Sequence, residues 1–202
     1  MGICPYKERK MRICVFGAAS PTIDREYIER VEELGKEMAL RGHSLVFGGG
    51  GNGLMGASAR GVKKGGGYIL GVVPSFFEDE NIEALYGHCD KVIETTTMRE
   101  RKQIMEDNAD AFIIAPGGIG TFEEFFEILT LKQLCRHNKP IAIYNVKGYY
   151  NEILIALEEA TKKGFIRGGC QNLYFASDDM AEVLSYVETP EPTHTVKELK
   201  DG

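Results

Sequence analysis

Short apolar runs alternate along the chain with longer stretches whose apolar residues recur every three or four positions. The short runs have the length and the β-branched content of buried strands, and the longer stretches have the period of amphipathic helices. The pattern predicts strands at 12–16, 45–47, 68–73, 91–94, 111–115, 141–144 and 173–176. It predicts helices at 24–41, 54–64, 98–108, 121–135, 149–163 and 179–187.

Strands that are separated by helices require crossover connections and therefore form a parallel sheet. We predict a single α/β domain over residues 1–188, with a doubly wound parallel sheet and helices on both faces. A polar tail at 189–202, with two prolines, is expected to be mobile. Ligands bind such sheets beyond the carboxyl ends of the strands. Four loops there carry candidate chemistry, namely 17–22, 48–56, 74–90 and 116–121.

The composition of the chain limits the classes of binding partner and the cellular compartment that we expect. The chain has 202 residues and a formal net charge of -6, which argues against a protein that binds nucleic acid or an anionic membrane. Its five cysteines are odd in number and widely spaced, so we expect reduced thiols, a cytoplasmic location and no metal site. The N-terminus has no long apolar run, so neither a signal peptide nor a membrane span is expected.

The segment 48–56 is rich in glycine and lies between a predicted strand and a predicted helix. Its glycines would let the backbone N–H groups of Gly50, Gly51 and Gly53 approach a phosphate. The loop follows the second strand, and the next strand does not end in an acidic residue, so NAD is disfavoured. A tight turn with close helix–sheet packing is the structural alternative.

The segment 116–124, Pro-Gly-Gly-Ile-Gly-Thr-Phe-Glu-Glu, is the most informative. A strand enters a glycine turn that opens a helix, which can present N–H donors and a helix dipole to an anion. The lysine of a Walker loop is absent. Thr121 and Glu124 have the spacing of a capping box, which would give Glu124 a structural role. Glu124 also shares a helical face with Ile128 and Leu131, an unusual place for a carboxylate that only caps.

A second capping-box pattern opens the helix predicted at 98–108. Arg101 and Lys102 lie on a face that also carries Met98 and Met105. Such basic residues either extend to water or hold an anion, and the planar guanidinium of Arg101 suits a phosphate better.

These segments resemble the Lonely Guy (LOG) family of nucleoside 5′-monophosphate phosphoribohydrolases. Residues 116–124 match its PGGxGTxxE signature, residues 48–56 match its GGGxxGLMG loop, and residues 98–102 resemble its MHxRK segment. The resemblance covers about residues 12 to 187. It implies a Rossmann-like fold, commonly a homodimer, that hydrolyses the N-glycosidic bond of AMP-like nucleotides, including cytokinin precursors, without a metal or cofactor.

The resemblance also implies roles for individual residues. Glu124 and Arg101 fall on its catalytic positions. An acidic contact after the third strand falls on Glu80 or Glu83, and Ser20 ends an Ala-Ala-Ser loop where Gly-Ser-Ser is common. The remaining nucleotide-contacting positions are Lys102, Gly117, Gly118, Gly120, Thr121, Glu123 and Thr130. The family's motif histidine is Arg99 here, and Ile119 replaces a frequent tyrosine, which bears on substrate choice more than on the reaction.

The expected function is therefore hydrolysis of a purine nucleoside 5′-monophosphate, either AMP or an N6-modified AMP, to the free base and ribose 5-phosphate. A non-catalytic nucleotide-binding or cofactor-carrier protein on the same fold is the alternative. A pyridoxal-dependent lysine decarboxylase is a weaker one, because it needs a Schiff-base lysine and usually a longer chain. Apolar residues on most sides of the 121–135 helix predict a homodimer.

Overall fold

The computed structural model of the chain describes residues 10–79 and 84–189. Within these ranges, seven strands form one sheet, and seven helices and two short 3₁₀ turns connect or follow them. The strands are β1 (Arg12–Phe16), β2 (Ser44–Phe47), β3 (Ile69–Pro74), β4 (Lys91–Thr95), β5 (Ala111–Ile114), β6 (Ile141–Tyr144) and β7 (Phe175–Ser177). The helices are α1 (Arg25–Leu40), α2 (Gly53–Lys64), α3 (Phe76–Asp79), α4 (Met98–Asn108), α5 (Ile119–Gln133), α6 (Asn151–Lys162) and α7 (Met180–Glu188).

All neighbouring strands pair in parallel, in the order β4-β3-β2-β1-β5-β6-β7. Strands β1 to β4 follow one another from the centre of the sheet to one edge, and β5 to β7 continue from the other side of β1 to the opposite edge. The predicted doubly wound fold is therefore confirmed. The reversal between β1 and β5 defines a topological switch point, the place where sheets of this kind bind ligands.

Alternate residues of the central strand supply two separate cores. Ile13 and Val15 of β1 pack with apolar residues of α1, α2 and α7. Cys14 and Phe16 point to the opposite face and pack with residues of α4, α5 and α6. Because both faces are covered by helices, the central strands are apolar at every position except their first residues Arg12 and Ser44, and such continuous apolar runs predict buried strands.

The predicted elements differ from the structure mainly at their ends. Helix α1 begins one residue late, because Asp24 is its N-cap and accepts a hydrogen bond from the N–H of Glu26. Residues 149 and 150, which were expected to be helical, follow a 3₁₀ turn at Val146–Gly148, and α6 begins only at Asn151. Leu173, expected in the last strand, ends a second 3₁₀ turn at Gly168–Leu173. The short helix α3 was not predicted.

Several expectations fall outside the described residues. Glu80 and Glu83 do so, as does the tail from residue 190 onward. Within the ranges that the structure describes, no helix combines the length and the apolar character needed to cross a membrane.

Candidate active site

Three of the four predicted loops converge at the switch point. The N–H of Ala18, after β1, donates to the carbonyl oxygen of Pro116, after β5, at 3.0 Å. The carbonyl oxygen of Ala18 accepts from the N–H of Leu54, in the first turn of α2, at 2.7 Å. The loops that follow β1, β2 and β5 are therefore joined through the single residue Ala18.

The glycine loop after β2 packs closely against neighbouring backbone. Gly53 has a φ of +57°, and a Cβ there would lie 2.4 Å from the carbonyl oxygen of Ala18, so only glycine fits. The N–H of Gly51 donates to the carbonyl oxygen of Ala84 at 2.7 Å, and Gly50 forms an isolated antiparallel bridge with the same segment. These contacts favour the close-packing interpretation of the loop, and its contact with a phosphate stays a prediction.

The loop after β5 leaves the start of α5 without a side-chain cap. The helix begins at Ile119 with Gly118 as its N-cap, and no side chain accepts a hydrogen bond from its first turn. The first-turn N–H groups therefore point toward the carboxyl edge at the positive end of the helix dipole. This arrangement, which includes the predicted residues Gly118, Gly120 and Thr121, is a ready binding site for an anion such as phosphate.

The predicted capping box of Thr121 and Glu124 is wrong. A capping box requires Thr121 to be the N-cap, but Gly118 takes that position and Thr121 lies inside the helix. Thr121 is instead buried against Gly117. A Cβ added to Gly117 would lie 2.1 Å from the Oγ1 atom of Thr121. The structural role proposed for Glu124 thereby disappears, and its carboxylate is left for other contacts.

Arg101 is buried and held by the carboxyl ends of two strands. Its Nε atom donates to the carbonyl oxygen of Val72 and its Nη2 atom to that of Gly48, each at 3.2 Å. The ring centre of Phe77 lies 5.5 Å from the guanidinium carbon. With 5% of its side chain exposed, Arg101 does not extend to water. The guanidinium fits here only because residue 48 is glycine: a Cβ on Gly48 would lie 1.7 Å from Nη2 of Arg101.

Glu124 faces this guanidinium from the first turns of α5. Its Oε1 atom lies 3.7 Å from Nη1 of Arg101, and 12% of its side chain is exposed. Burial raises the pKa of Glu124 to about 7, although the positive charge of Arg101 opposes the shift, while the charge of Glu123 adds to it. The carboxyl group therefore exchanges its proton near neutral pH, as a general acid or base requires.

Lys102 and Glu123 are brought next to this pair, but they contact each other. Lys102 forms ion pairs with Glu123 and with Glu127, the second at 2.6 Å. Although partial burial opposes it, hydrogen bonds to these two carboxylates raise the pKa of Lys102. The cluster keeps the lysine protonated at the rim of the site, and contact of Lys102 or Glu123 with a ligand stays a prediction.

Two other predicted residues have neighbours outside the group formed by Glu124, Arg101, Lys102 and Glu123. Ser20 is exposed in the loop after β1, where its Oγ atom lies 3.0 Å from Oγ1 of Thr22, and its carbonyl oxygen borders Gly53. Thr130 is exposed and lines a separate cavity between α5, α6 and the second 3₁₀ turn, with Phe126 and Leu157 among its neighbours. Within this chain, Thr130 is therefore not part of the Glu124 cluster.

Sequence reasoning missed the tyrosines that follow β6. The hydroxyl of Tyr149 donates to the carbonyl oxygen of Gly117 at 2.8 Å. The ring of Tyr149 also lines a cavity of about 180 Å³ beside Gly118, Asp24 and Leu54. The available signal was the position of two tyrosines directly after Gly148 at the carboxyl edge, whereas helical periodicity placed them in the next helix.

Comparison with known proteins relates the chain to one enzyme family. A sequence model of the family described as "Possible lysine decarboxylase" matches residues 55–187. The cytokinin riboside 5′-monophosphate phosphoribohydrolase LOG5 of Arabidopsis thaliana is 35% identical over 189 residues, which are 93% of this chain and 82% of the relative. LOG2 of the same plant, which bears the same enzyme name, is 35% identical over 188 residues, with 93% and 87% covered.

Solved structures support the fold. The molybdenum cofactor carrier protein of Chlamydomonas reinhardtii superposes with a TM-score of 0.67 at 24% identity, over 89% of this chain and 97% of that one. The molybdenum cofactor binding protein of Rippkaea orientalis gives 0.66 at 22% identity, over 88% and 94%. At such low identity these likenesses concern the fold alone.

Proposed function

The chain belongs to the family of the cytokinin riboside 5′-monophosphate phosphoribohydrolases, and on this premise we propose that it hydrolyses the N-glycosidic bond of a purine nucleoside 5′-monophosphate. The products are the free base and ribose 5-phosphate, and the substrate is AMP or an N6-modified AMP. The observation that carries the proposal is the buried carboxyl group of Glu124. This residue lies in the first turns of α5, a helix without a side-chain cap, and its carboxyl group faces Arg101 of α4.

The chemistry needs a carboxylate at this place. When the C–N bond breaks, its electron pair leaves with the base, which takes up a proton, and positive charge builds on the sugar. The ionised form of Glu124 stabilises that charge and accepts a proton from the water that adds to the sugar carbon. Arg101, which is fixed by two backbone carbonyls, holds the carboxylate in place and lies close enough to help position the ligand.

We place three subsites in a row along the carboxyl edge of the sheet, in the order of the strands. The phosphate binds at the α5 N-terminus beside β1 and β5, with the loops of Ser20 and Gly53 next to it. The sugar lies over Glu124, with Glu123 near its hydroxyl groups. The base then reaches a cavity of about 480 Å³ at the ends of β3 and β4, whose walls include Val73 and Tyr86. That cavity has room for an apolar group on the base.

Two rival functions make different predictions. A carrier protein would bind its ligand without releasing a product, and the catalytic pair of Glu124 and Arg101 argues against it. A pyridoxal-dependent decarboxylase would need a lysine for a Schiff base. Lys102 is paired with Glu123 and Glu127, which disfavours the neutral amine. The absence of a pyridoxal absorbance band in purified protein would dismiss that reaction.

The assembly and compartment are part of the proposal. We expect a homodimer through α5 and its C-cap, where Phe126 and Leu134 are 41% and 50% exposed in the single chain. We expect a cytoplasmic protein, because none of the four cysteines among the described residues, Cys14, Cys89, Cys135 and Cys170, forms a disulfide bond. Light scattering that gives one chain mass at micromolar concentration would contradict the dimer.

The decisive experiment is a nucleotide panel. Purified protein is incubated with AMP, an N6-prenylated AMP, other nucleoside monophosphates and adenosine, and the released base is read by chromatography. We expect release from a purine 5′-monophosphate and much weaker release from adenosine, which lacks the phosphate. Release of no base from any nucleotide would overturn the proposed function. Equal efficiency with AMP and adenosine would show that the enzyme does not recognise the 5′-phosphate.

A further inference from the structure

Three consecutive carbonyl groups of the loop after β5 accept hydrogen bonds from three residues on two other loops, the one after β1 and the one after β6. The carbonyl of residue 115 accepts from the hydroxyl of Tyr150 at 2.8 Å. The carbonyl of residue 116 accepts from the N–H of Ala18 at 3.0 Å. The carbonyl of residue 117 accepts from the hydroxyl of Tyr149 at 2.8 Å. Every carbonyl between the end of β5 and the N-cap of α5 is thus held by a donor from outside the loop.

The two tyrosines are fixed by the loop that carries them. The preceding 3₁₀ turn includes Lys147, whose φ of 56° is unusual for a residue with a side chain. The N–H of Tyr150 donates to Oδ1 of Asn145 at 2.7 Å. The rings of Tyr149 and Tyr150 pack edge to face with their centres 5.1 Å apart. Tyr150 is fully buried, and Tyr149 is 40% exposed beside the small cavity.

The geometry of the peptide unit gives these two hydroxyl contacts different consequences. In a trans peptide the carbonyl and the following N–H point in opposite directions. Fixing the carbonyl of Gly117 therefore fixes the N–H of Gly118, which is the N-cap of α5. Fixing the carbonyl of Ala115 orients no N–H group, because the next residue is Pro116, which has none.

We propose that Tyr149 is a positioning residue, which acts through Gly117 to hold the N–H of Gly118 toward the 5′-phosphate. Tyr150 has the structural task of anchoring the end of β5. The inference rests on the proposed function for the identity of the ligand. Its physical content is preorganisation: donors that are already oriented lose little entropy when the phosphate binds.

The test compares two single-hydroxyl deletions, Tyr149→Phe and Tyr150→Phe. Loss of one oriented donor is worth a hydrogen bond to a charged group, so Tyr149→Phe should raise the KM for AMP and the Kd of ribose 5-phosphate about tenfold. The kcat and the efficiency with adenosine should change little. Tyr150→Phe should instead lower Tm by about 2–5 °C through a lost buried hydrogen bond, with KM unchanged.

Tyr68→Phe is the matched control, since that half-exposed side chain precedes β3 at the opposite edge of the sheet and should alter none of these quantities. Calorimetric binding of ribose 5-phosphate keeps this inference separate from the proposed function, because binding needs no turnover. If wild-type protein releases no base, the function fails, yet the calorimetry still tests the loop. Equal ribose 5-phosphate affinity of wild type and Tyr149→Phe, including no binding by either, overturns the inference.

Discussion

Two helices of this protein begin near the same four-residue pattern, Thr-x-x-Glu, and use it in opposite ways. At α4, Thr97 is the N-cap, and its Oγ1 atom accepts from the N–H of Glu100 at 3.1 Å. The Glu100 carboxylate in turn accepts from the N–H of Thr96 at 2.8 Å. At α5, the helix has already begun when Thr121 is reached, and the carboxylate of Glu124 turns toward Arg101.

The difference also appears in the chemistry of the two glutamates. Hydrogen bonds from the backbone and side chain of Thr96 lower the pKa of Glu100, which is fully exposed. Burial raises the pKa of Glu124 to about 7. One helix end is thus closed by its own side chains, whereas the other leaves its first-turn donors and its carboxylate open to a ligand. When a glycine begins the helix before the Thr-x-x-Glu pattern, as Gly118 does in α5, the glutamate of that pattern is not used in a cap and can take part in other contacts.

The largest expected effect comes from neutralising Glu124, and neutralising Glu100 tests whether the two glutamates differ. Glu124→Gln keeps the shape of the side chain but removes the charge that stabilises the positive sugar. Turnover of AMP should fall by about 10²-fold or more, a typical contribution of a positioned acid, base or charge. Glu100→Gln is the matched control and should leave turnover unchanged. Base release is measured at saturating nucleotide, with melting curves for both proteins.

Full activity of folded Glu124→Gln protein would contradict the assignment and would move the catalytic role to Glu123 or another group. A loss of turnover in Glu100→Gln as large as that in Glu124→Gln would contradict the comparison itself, because it would mean that closing α4 matters to the reaction. Above pH 7, Glu124→Gln should be at least as stable as wild type, because burial disfavours the ionised carboxylate of Glu124 more than the charge of Arg101 favours it.

Much of the fold and part of the candidate site could be predicted from the sequence, and the limits of that prediction have physical causes. The strands were readable because their apolar runs are buried on both faces, and Glu124 attracted attention because it shares a helical face with Ile128. The predicted start of α5 is wrong because Thr121 and Glu124 have the spacing of a capping box, whereas the true N-cap, Gly118, has no side chain that could form one. The contacts of Gly48 and Tyr149 join residues far apart in the chain, and no local pattern encodes them.

The second prediction concerns the arginine that faces Glu124. Arg101→Met keeps the apolar stem but removes two hydrogen bonds to carbonyl groups and the charge beside Glu124. We expect turnover to fall roughly 10- to 100-fold through lost positioning. Removing one partner of a buried pair should also lower the free energy of unfolding by about 3 kcal/mol. Urea unfolding and base release measure the two effects separately.

Arg12→Met is the matched control, because Arg12 also pairs with a carboxylate, Asp110, at 3.2 Å, but with 48% of its side chain exposed. Exposed pairs contribute about 1 kcal/mol or less. Arg12→Met should therefore change stability little and turnover not at all. Equal losses of stability in the two variants would indicate that burial of Arg101 adds nothing to its interactions.

The third prediction tests the space that Gly48 provides. A methyl group there would lie 1.7 Å from Nη2 of Arg101, so Gly48→Ala must displace the guanidinium or the loop. Turnover should fall roughly tenfold through this misplacement, and stability by about 1–3 kcal/mol through overpacking. Gly66→Ala is the control: it has open space but a φ of +75°, so it should cost stability without loss of turnover. Normal turnover in Gly48→Ala would show that Arg101 need not occupy its observed position.

The last prediction concerns the pH dependence of stability, to which the two glutamates should contribute with opposite signs. The pKa of Glu124 rises to about 7 on folding, above its ordinary value of 4.5, so the native state binds more protons between these values. The stabilisation is present below pH 4.5 and is lost as pH rises through 7. The pKa of Glu100 is lowered, so its contribution is present above its ordinary value and is lost on acidification.

Melting curves from pH 4 to pH 8 can separate the two contributions. The Tm difference between Glu124→Gln and wild type should become more positive by roughly 6–12 °C toward pH 8, because a pKa that rises from 4.5 to about 7 on folding corresponds to about 3 kcal/mol of linked stability. The difference for Glu100→Gln should become slightly more negative. Glu106, whose pKa burial also raises to about 7, titrates in all three proteins and cancels in the differences. Parallel Tm differences for the two variants would mean that the carboxyl group of Glu124 is as well solvated as that of Glu100, which would remove the basis for its proton exchange near neutral pH.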